Sequence, residues 1–168
     1  MTTRRTLNTA LLWAGLALSA PALALDAPSS RPVLTVSGKI AVKNAGNTAR
    51  FDMKMIKALP QHSFTTRTPW FDKPVKFTGP LLADLLPAVK AHGTTLSAVA
   101  INDYRIDIPM TDVQRYKVIV AHQLDDKSMA VRDKGPLFVV FPFDTAAELR
   151  TSTYYERSIW QLKALEVR

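Results

Sequence analysis

Cysteine is absent from this chain of 168 residues, which excludes disulfide bonds, thiolate metal sites, iron–sulfur clusters and a cysteine nucleophile. Histidine is scarce, and His62, His92 and His122 do not have the spacing of a metal-binding pair, so no metal is expected. The sequence also lacks a Gly-rich phosphate-binding loop and the Gly-x-Ser-x-Gly turn of serine hydrolases. None of the common motifs for metal, nucleotide or nucleophilic catalysis is therefore present.

Basic residues outnumber acidic ones, with 22 Lys and Arg against 14 Asp and Glu and a formal net charge of +8. This surplus favours anionic partners, but it does not select among nucleic acid, membrane surfaces and phosphorylated small molecules. With 47% hydrophobic and 21% charged residues, the composition is that of an ordinary globular protein. The length suits one domain, since most domains have about 100–200 residues.

Residues 1–24 have the features of a secretory signal peptide. Arg4 and Arg5 form a basic start, residues 7–20 are mostly apolar, and residues 22–24 match the small-x-small pattern of a cleavage site. The apolar stretch is shorter than the ~20 residues that a transmembrane helix needs. The sequence therefore predicts a periplasmic protein, exported by the general secretory route or, if Arg4 and Arg5 form a twin-arginine signal, by that route.

After the signal peptide we expect a polar linker over residues 25–32 and one domain over residues 33–168. Nucleic acid is not expected as a partner, because little of it is available to an exported domain. Hydrophobic periodicity predicts about eight β-strands and two or three short helices, the first of them capped by Asp52. Parallel β-α-β alternation is absent, so the predicted fold class is a β-rich α+β single domain.

A predicted loop over residues 68–74, stiffened by two prolines, contains Trp70 and follows Arg67. Trp70 can offer a flat face to an aromatic ligand, and stacking and cation–π contacts each contribute about 1 kcal/mol. Alternatively, Trp70 covers the hydrophobic core beneath the loop. The sequence leaves both interpretations open.

Two further segments combine cations with groups that bind ligands. Arg132 and Lys134 flank an acid beside Gly135, just before an apolar strand, and binding groups often lie on loops that rigid strands position. Residues 154–157 form a predicted loop with two tyrosines and Arg157. The alternatives are a solvated turn for the first segment and packing at the edge of the fold for the second.

The order of several segments resembles a known family. These segments are Phe64-Thr65-Thr66-Arg67 with Trp70, residues 75–86 (VKFTGPLLADLL), residues 102–109 (NDYRIDIP), residues 118–121 (VIVA), residues 132–137 (RDKGPL) and residues 157–162 (RSIWQL). Over residues 35–168 the chain is similar to the oxidoreductase molybdopterin-binding domain family, in its small exported form. The resemblance implies the β-rich α+β fold of sulfite-oxidase type, with a pterin pocket lined by loops.

In the catalytic members of that family, a cysteine thiolate after the early strand binds molybdenum. The corresponding stretch of this chain, residues 65–68, reads Thr-Thr-Arg-Thr, and threonine cannot supply a soft thiolate to a redox metal. The resemblance therefore implies a non-catalytic protein that binds a pterin or molybdopterin-like ligand without a metal.

On this basis we expect the pterin to stack on Trp70. Arg67 and Arg132 are expected to hold ring carbonyls or an anionic tail, and Asp103 is expected to accept hydrogen bonds from the amino and ring N–H groups. The full set of predicted ligand-binding residues is Arg67, Trp70, Asp103, Tyr104, Arg132, Lys134 and Arg157.

The resemblance also implies a partner, since some small exported members without the cysteine pass ligand occupancy to a membrane-bound signalling protein, here to its periplasmic part. Two other functions stay open from the sequence. One is a molybdopterin-dependent oxidoreductase, or a subunit of one, with a metal ligand other than cysteine. The other is a pure interaction module that docks on a membrane receptor.

Overall fold

Residues 25–168 are described by a computed structural model, and the predicted signal peptide, residues 1–24, lies outside the described residues. Eleven strands and four short α-helices occur in this described part. The strands are β1 (Leu34–Gly38), β2 (Ala49–Phe51), β3 (Gln61–Thr68), β4 (Phe71–Pro80), β5 (Thr95–Ala100), β6 (Arg105–Pro109), β7 (Ile119–Ala121), β8 (Gln123–Leu124), β9 (Lys127–Ser128), β10 (Phe138–Val140) and β11 (Leu162–Val167). The α-helices are α1 (Met53–Ala58), α2 (Leu82–Ala88), α3 (Met110–Arg115) and α4 (Ser152–Arg157). Strands predominate in this mixed structure, in agreement with the predicted α+β class.

The larger sheet has five strands in the order β2-β1-β11-β5-β6. Strand β1 pairs in parallel with β11, and the other neighbours are antiparallel. Leu34 and Val36 of β1 are buried, while Thr35 and Ser37 are half-buried, as the period of two predicts. Gly38 has a φ of 84°, and an added Cβ would lie 2.1 Å from the carbonyl oxygen of Val167. The pairing of the first and last strands therefore requires glycine there.

A four-stranded sheet, in the order β3-β4-β8-β9, and the β7–β10 pair complete the fold. A backbone bridge between Leu81 and Ile119 joins the end of β4 to β7. The largest side chains of the core include Phe77, Phe138 and Phe143, which are fully buried. This aromatic core lies beneath the β3–β4 turn, where the candidate site is found.

The segment before β1 lacks regular secondary structure but is tied to the domain by Asp52. One Asp52 oxygen accepts a hydrogen bond from the Met55 amide at 2.9 Å, which confirms the predicted helix cap. The other oxygen accepts from the Ser29 amide at 2.7 Å and the Ser30 amide at 2.9 Å. These hydrogen bonds lower the pKa of Asp52 to about 2, and the bond from the Met55 amide has the largest effect.

The prediction of a loop over residues 68–74 is wrong. Strand β3 instead pairs with β4 as far as Thr68 and Phe71, so Pro69 and Trp70 form a tight hairpin turn. The register shifts between Thr66, which is paired with Val75, and Thr68, which is paired with Phe71, so Pro74 is not paired in this irregular stretch. A strand tolerates proline at such a position because its missing N–H is not needed for the ladder.

The predicted loop over residues 154–157 is also wrong, because these residues belong to helix α4. Together with α1, α2 and α3, this makes four α-helices in the described residues where two or three were predicted. Among residues 25–168, no helix has the length and apolar character needed to cross a membrane.

Candidate functional site

A cleft of about 420 Å³ opens where the β3–β4 turn, the β5–β6 turn and the segment after α4 meet. This volume is within the range of small-molecule sites, about 300–1,000 Å³. Its walls carry four large aromatic side chains and one carboxylate. The lining residues are Trp70, Ala100, Asn102, Tyr104, Tyr155, Glu156, Ser158, Ile159 and Trp160.

Gln161 holds the segments around the cleft together. Its backbone N–H donates to the Lys134 carbonyl at 3.0 Å, and its carbonyl accepts from the Ile101 amide at 2.9 Å. Its side-chain amide donates to the Val131 carbonyl at 2.8 Å. Gln161 has a φ of 51°, an uncommon conformation that these three bonds from distant segments stabilise. The loops that border the cleft are thus fixed to one another.

Trp70 belongs both to the core and to the cleft. The indole is half-buried, with its centroid 5.6 Å from that of Phe138 and 6.1 Å from that of Phe143, both fully buried rings. Its other ring neighbours are Trp160 at 5.5 Å and Tyr155 at 6.2 Å, both in edge-to-face geometry. The two interpretations that the sequence left open are therefore compatible, since one part of the ring covers the core and another lines the cleft.

Lys134 lies at the rim of the cleft, with its ammonium 4.2 Å from the centroid of the Trp160 ring. Such a contact stabilises the lysine side chain by about 0.5–1 kcal/mol at an exposed site. The neighbouring Gly135 does not free the backbone for a ligand, because an added Cβ there would lie 2.2 Å from the carbonyl oxygen of Met129. That glycine is required by packing within the chain.

Three polar groups face the cleft with hydrogen-bonding capacity to spare. Glu156 is exposed, and none of the ion pairs found within residues 25–168 engages it. The side-chain oxygen of Asn102 accepts from the Tyr104 amide at 3.2 Å, which leaves the Asn102 NH₂ group to donate. The Tyr104 side chain is 49% exposed and can donate through its hydroxyl.

Of the seven predicted ligand-binding residues, Trp70 and Tyr104 line the cleft. Lys134 does not line it but contacts Trp160, which does. Asp103 is exposed and accepts a hydrogen bond from the Lys163 ammonium at 2.7 Å, which lowers its pKa. Arg132 has 88% of its side chain exposed and lies 3.4 Å from Asp133. These two residues and Arg67 are not among those that line the cleft.

Arg157, the seventh residue, makes an internal ion pair. Its Nη1 donates to Asp112 Oδ2 at 2.6 Å, and the two side chains are only 22% and 12% exposed. The pair connects α4 to α3, and the guanidinium carbon also lies 5.4 Å from the centroid of the Tyr154 ring. Arg157 therefore helps to position the helix that supplies Tyr155 and Glu156 to the cleft.

Residues 65–68, where the sequence resemblance would place a metal-binding cysteine, offer no soft ligand for a redox metal. Thr66 is buried, and its hydroxyl accepts from the Asp144 amide at 3.1 Å. The carboxylate of Asp144 in turn accepts from the Arg67 amide at 2.8 Å. This hydroxyl is not a thiolate and already has a structural partner. Residues 25–168 also contain no group of three or more His, Asp or Glu side chains arranged to hold a metal ion.

The predicted set of ligand-binding residues lacks Asn102, Trp160 and Gln161, and from the segment 154–157 it contains only Arg157, although that segment also supplies Tyr155 and Glu156 to the cleft. Tyr155, Glu156 and Trp160 lie close together in the sequence, next to Arg157. This cluster of aromatic and charged residues was the sequence feature that could have indicated the site. A prediction of α4 would have placed Glu156 on a rigid element, where a carboxylate next to aromatics indicates a ligand site.

Neither the scan of protein-family models nor the search of curated proteins finds a match for the chain.

Proposed function

We propose that this chain is an exported, non-catalytic protein that binds a pterin in the aromatic cleft. The observation that carries the proposal is the combination of four aromatic walls, Trp70, Tyr104, Tyr155 and Trp160, with the free carboxylate of Glu156. Flat heterocycles stack on such walls, and base–aromatic stacking contributes about 1–3 kcal/mol. The sequence resemblance to a pterin-binding family supports the same ligand class.

The polar groups match the hydrogen-bonding edge of a pterin. A pterin presents an amino group and a ring N–H side by side, followed by a carbonyl. The two oxygens of Glu156 can accept from both N–H groups, and such charge-assisted bonds are about twice as strong as neutral ones. The free NH₂ of Asn102 can donate to the ligand carbonyl. Glu156 thus takes the role that the sequence assigned to Asp103, whose carboxylate is bonded to Lys163.

The charge of the cleft favours a pterin without a phosphate tail. The residues that line it include one acid, Glu156, and neither lysine nor arginine. Lys134 is near the rim, but its ammonium already lies over Trp160. A phosphate group would lose its hydration without a dedicated cation in the lining, so we expect a neutral pterin to bind more tightly than molybdopterin.

A role in signalling is the second part of the proposal. Ile101, Tyr104, Val131 and Trp160 are the exposed large apolar residues of the described chain. All four line the cleft or border it through the bonds of Gln161. A bound pterin would change this surface, which suits a relay to the periplasmic part of a membrane signalling protein.

Titration with pterins tests the binding proposal. Both tryptophans of residues 25–168 line the cleft, so a bound pterin should quench most of their fluorescence and give a calorimetric Kd below millimolar. Lumazine is the matched control ligand, because it has the same ring system with a carbonyl in place of the amino group. We expect pterin to bind about tenfold more tightly than lumazine, since one charge-assisted bond is lost.

Two results would replace this proposal with another. Stoichiometric molybdenum in protein purified from a host that makes the cofactor would favour the oxidoreductase. Failure of both oxidised and reduced pterins to bind, together with retained signalling in a Trp70→Ala variant, would favour the pure interaction module.

A further inference from the structure

A second cleft of about 420 Å³ lies in a different part of the molecule and shares no lining residue with the aromatic cleft. One wall of this cleft is formed by residues 62–64 of β3, an edge strand of the four-stranded sheet. Its other wall is formed by residues 115–117 at the end of α3, by Pro142 and by the 3₁₀ turn Phe143–Thr145. Nothing in the proposed pterin function uses this cleft.

The charge of the second cleft is opposite in sign to that of the first. Arg115, Lys117 and His62 belong to its lining, which contains no aspartate or glutamate. Lys117 is exposed, and none of the ion pairs within the described residues involves it. His62 is held from outside the lining by Asp84, at 3.1 Å. The groups that face the cleft are thus suited to an oxyanion.

Arg115 has a partner, but the contact is one that a ligand can displace. Its Nη2 lies 2.8 Å from Glu148 Oε1, and the two side chains are 68% and 48% exposed. Exposed ion pairs of this kind contribute about 0–1 kcal/mol. A carboxylate or phosphate that also contacts Lys117 can therefore recruit the Arg115 guanidinium.

The remaining lining mainly supplies an apolar surface. The Tyr116 hydroxyl donates to Glu148 Oε1 at 3.2 Å, so it is not a free donor for the ligand. Phe64, Leu81 and Pro142 provide the apolar part of the wall. An anion that carries an apolar or aromatic group would use both parts of this cleft.

We propose that the second cleft binds a small organic anion, a carboxylate or phosphate monoester attached to an apolar or aromatic group, with Arg115 and Lys117 as its cationic contacts. This proposal does not depend on pterin binding, because the two clefts have no lining residue in common.

Amide chemical-shift mapping of the full protein tests the proposal with benzoate and phenyl phosphate as probes. Benzamide serves as the neutral analogue, and inorganic phosphate serves as the anion without an apolar group. We expect at least one aromatic anion to shift residues 62–64 and 115–117 in a saturable way. Lys117→Gln and Arg115→Gln should each weaken this binding about tenfold, the loss of one charge-assisted contact.

Lys127→Gln is the matched control, since it removes the same charge from the exposed β8–β9 hairpin. Unchanged affinity in that variant, with weaker binding in the two cleft variants, supports the site. The proposal is overturned if neither aromatic anion gives saturable shifts at these residues. Equal binding by benzamide or inorganic phosphate, or an equal loss in Lys127→Gln, also overturns it.

Discussion

Replacing Glu156 by glutamine is expected to weaken pterin binding about tenfold to a hundredfold, because hydrogen bonds to a charged group contribute about 1.5–3 kcal/mol. The substitution keeps the size of the side chain. It removes the charge and places an NH₂ group where an oxygen would have accepted from the ligand. Isothermal calorimetry with the same pterin, at matched salt and pH, measures the change.

Comparing pterin with lumazine tests whether Glu156 contacts the amino group and ring N–H of the ligand. Lumazine loses one donor on that edge, so the preference of the protein for pterin over lumazine should shrink in Glu156→Gln. Glu148→Gln is the control, since Glu148 bonds Arg115 and Tyr116 outside the aromatic cleft. Equal pterin affinity in Glu156→Gln and in the unmodified protein would mean that the carboxylate does not contact the ligand.

Removing the Arg157 side chain is expected to lower the free energy of unfolding by about 3 kcal/mol, the lower end of the cost of breaking a buried ion pair. Arg157→Ala leaves the Asp112 carboxylate, whose side chain is 12% exposed, without its 2.6 Å partner. It also removes the contact with the Tyr154 ring. Urea unfolding of the variant and of the unmodified protein measures the difference.

Two further variants identify the cause of that loss. Arg132→Ala removes an arginine that is 88% exposed and should change stability by less than about 0.5 kcal/mol. A paired Arg157→Met, Asp112→Leu variant should recover most of the stability, since apolar residues can replace a buried pair. Unchanged stability in Arg157→Ala, with pterin binding abolished, would instead favour direct ligand contact by Arg157, as the sequence predicts.

Features that depend only on residues close together in the sequence could be predicted. The alternation in β1 and the cap at Asp52 are local patterns, and both are found in the structure. The hairpin turn at Pro69 and Trp70 was missed because two nearby prolines usually mark a loop. Pairing of β3 with β4 outweighs that preference, and the irregular register around Arg67 accommodates Pro74.

Helix α4 was missed because its sequence, STYYER, has little local preference for a helix. Serine, threonine and tyrosine are all weaker helix formers than alanine or leucine. Contact with the rest of the domain stabilises it, through the pair between Arg157 and Asp112, which are 45 residues apart. No pattern within the segment reveals a partner at that distance.

The candidate site was predictable only in part, for the same reason. Trp70 and Tyr104 stand out as aromatic residues beside turns, and both line the cleft. The engagement of Asp103 by Lys163 and the role of Gln161 depend on contacts between distant segments. The sequence therefore indicated the aromatic character of the cleft, whereas Glu156 could be identified as its carboxylate only from the structure.

A crystal structure of the protein with a bound pterin is the decisive test of pterin binding in the aromatic cleft. We expect the pterin ring to lie among Trp70, Tyr104, Tyr155 and Trp160, with its amino group and ring N–H directed at Glu156. Density for the pterin anywhere else on the molecule, or an aromatic cleft closed by its own side chains at saturating pterin, would contradict this expectation.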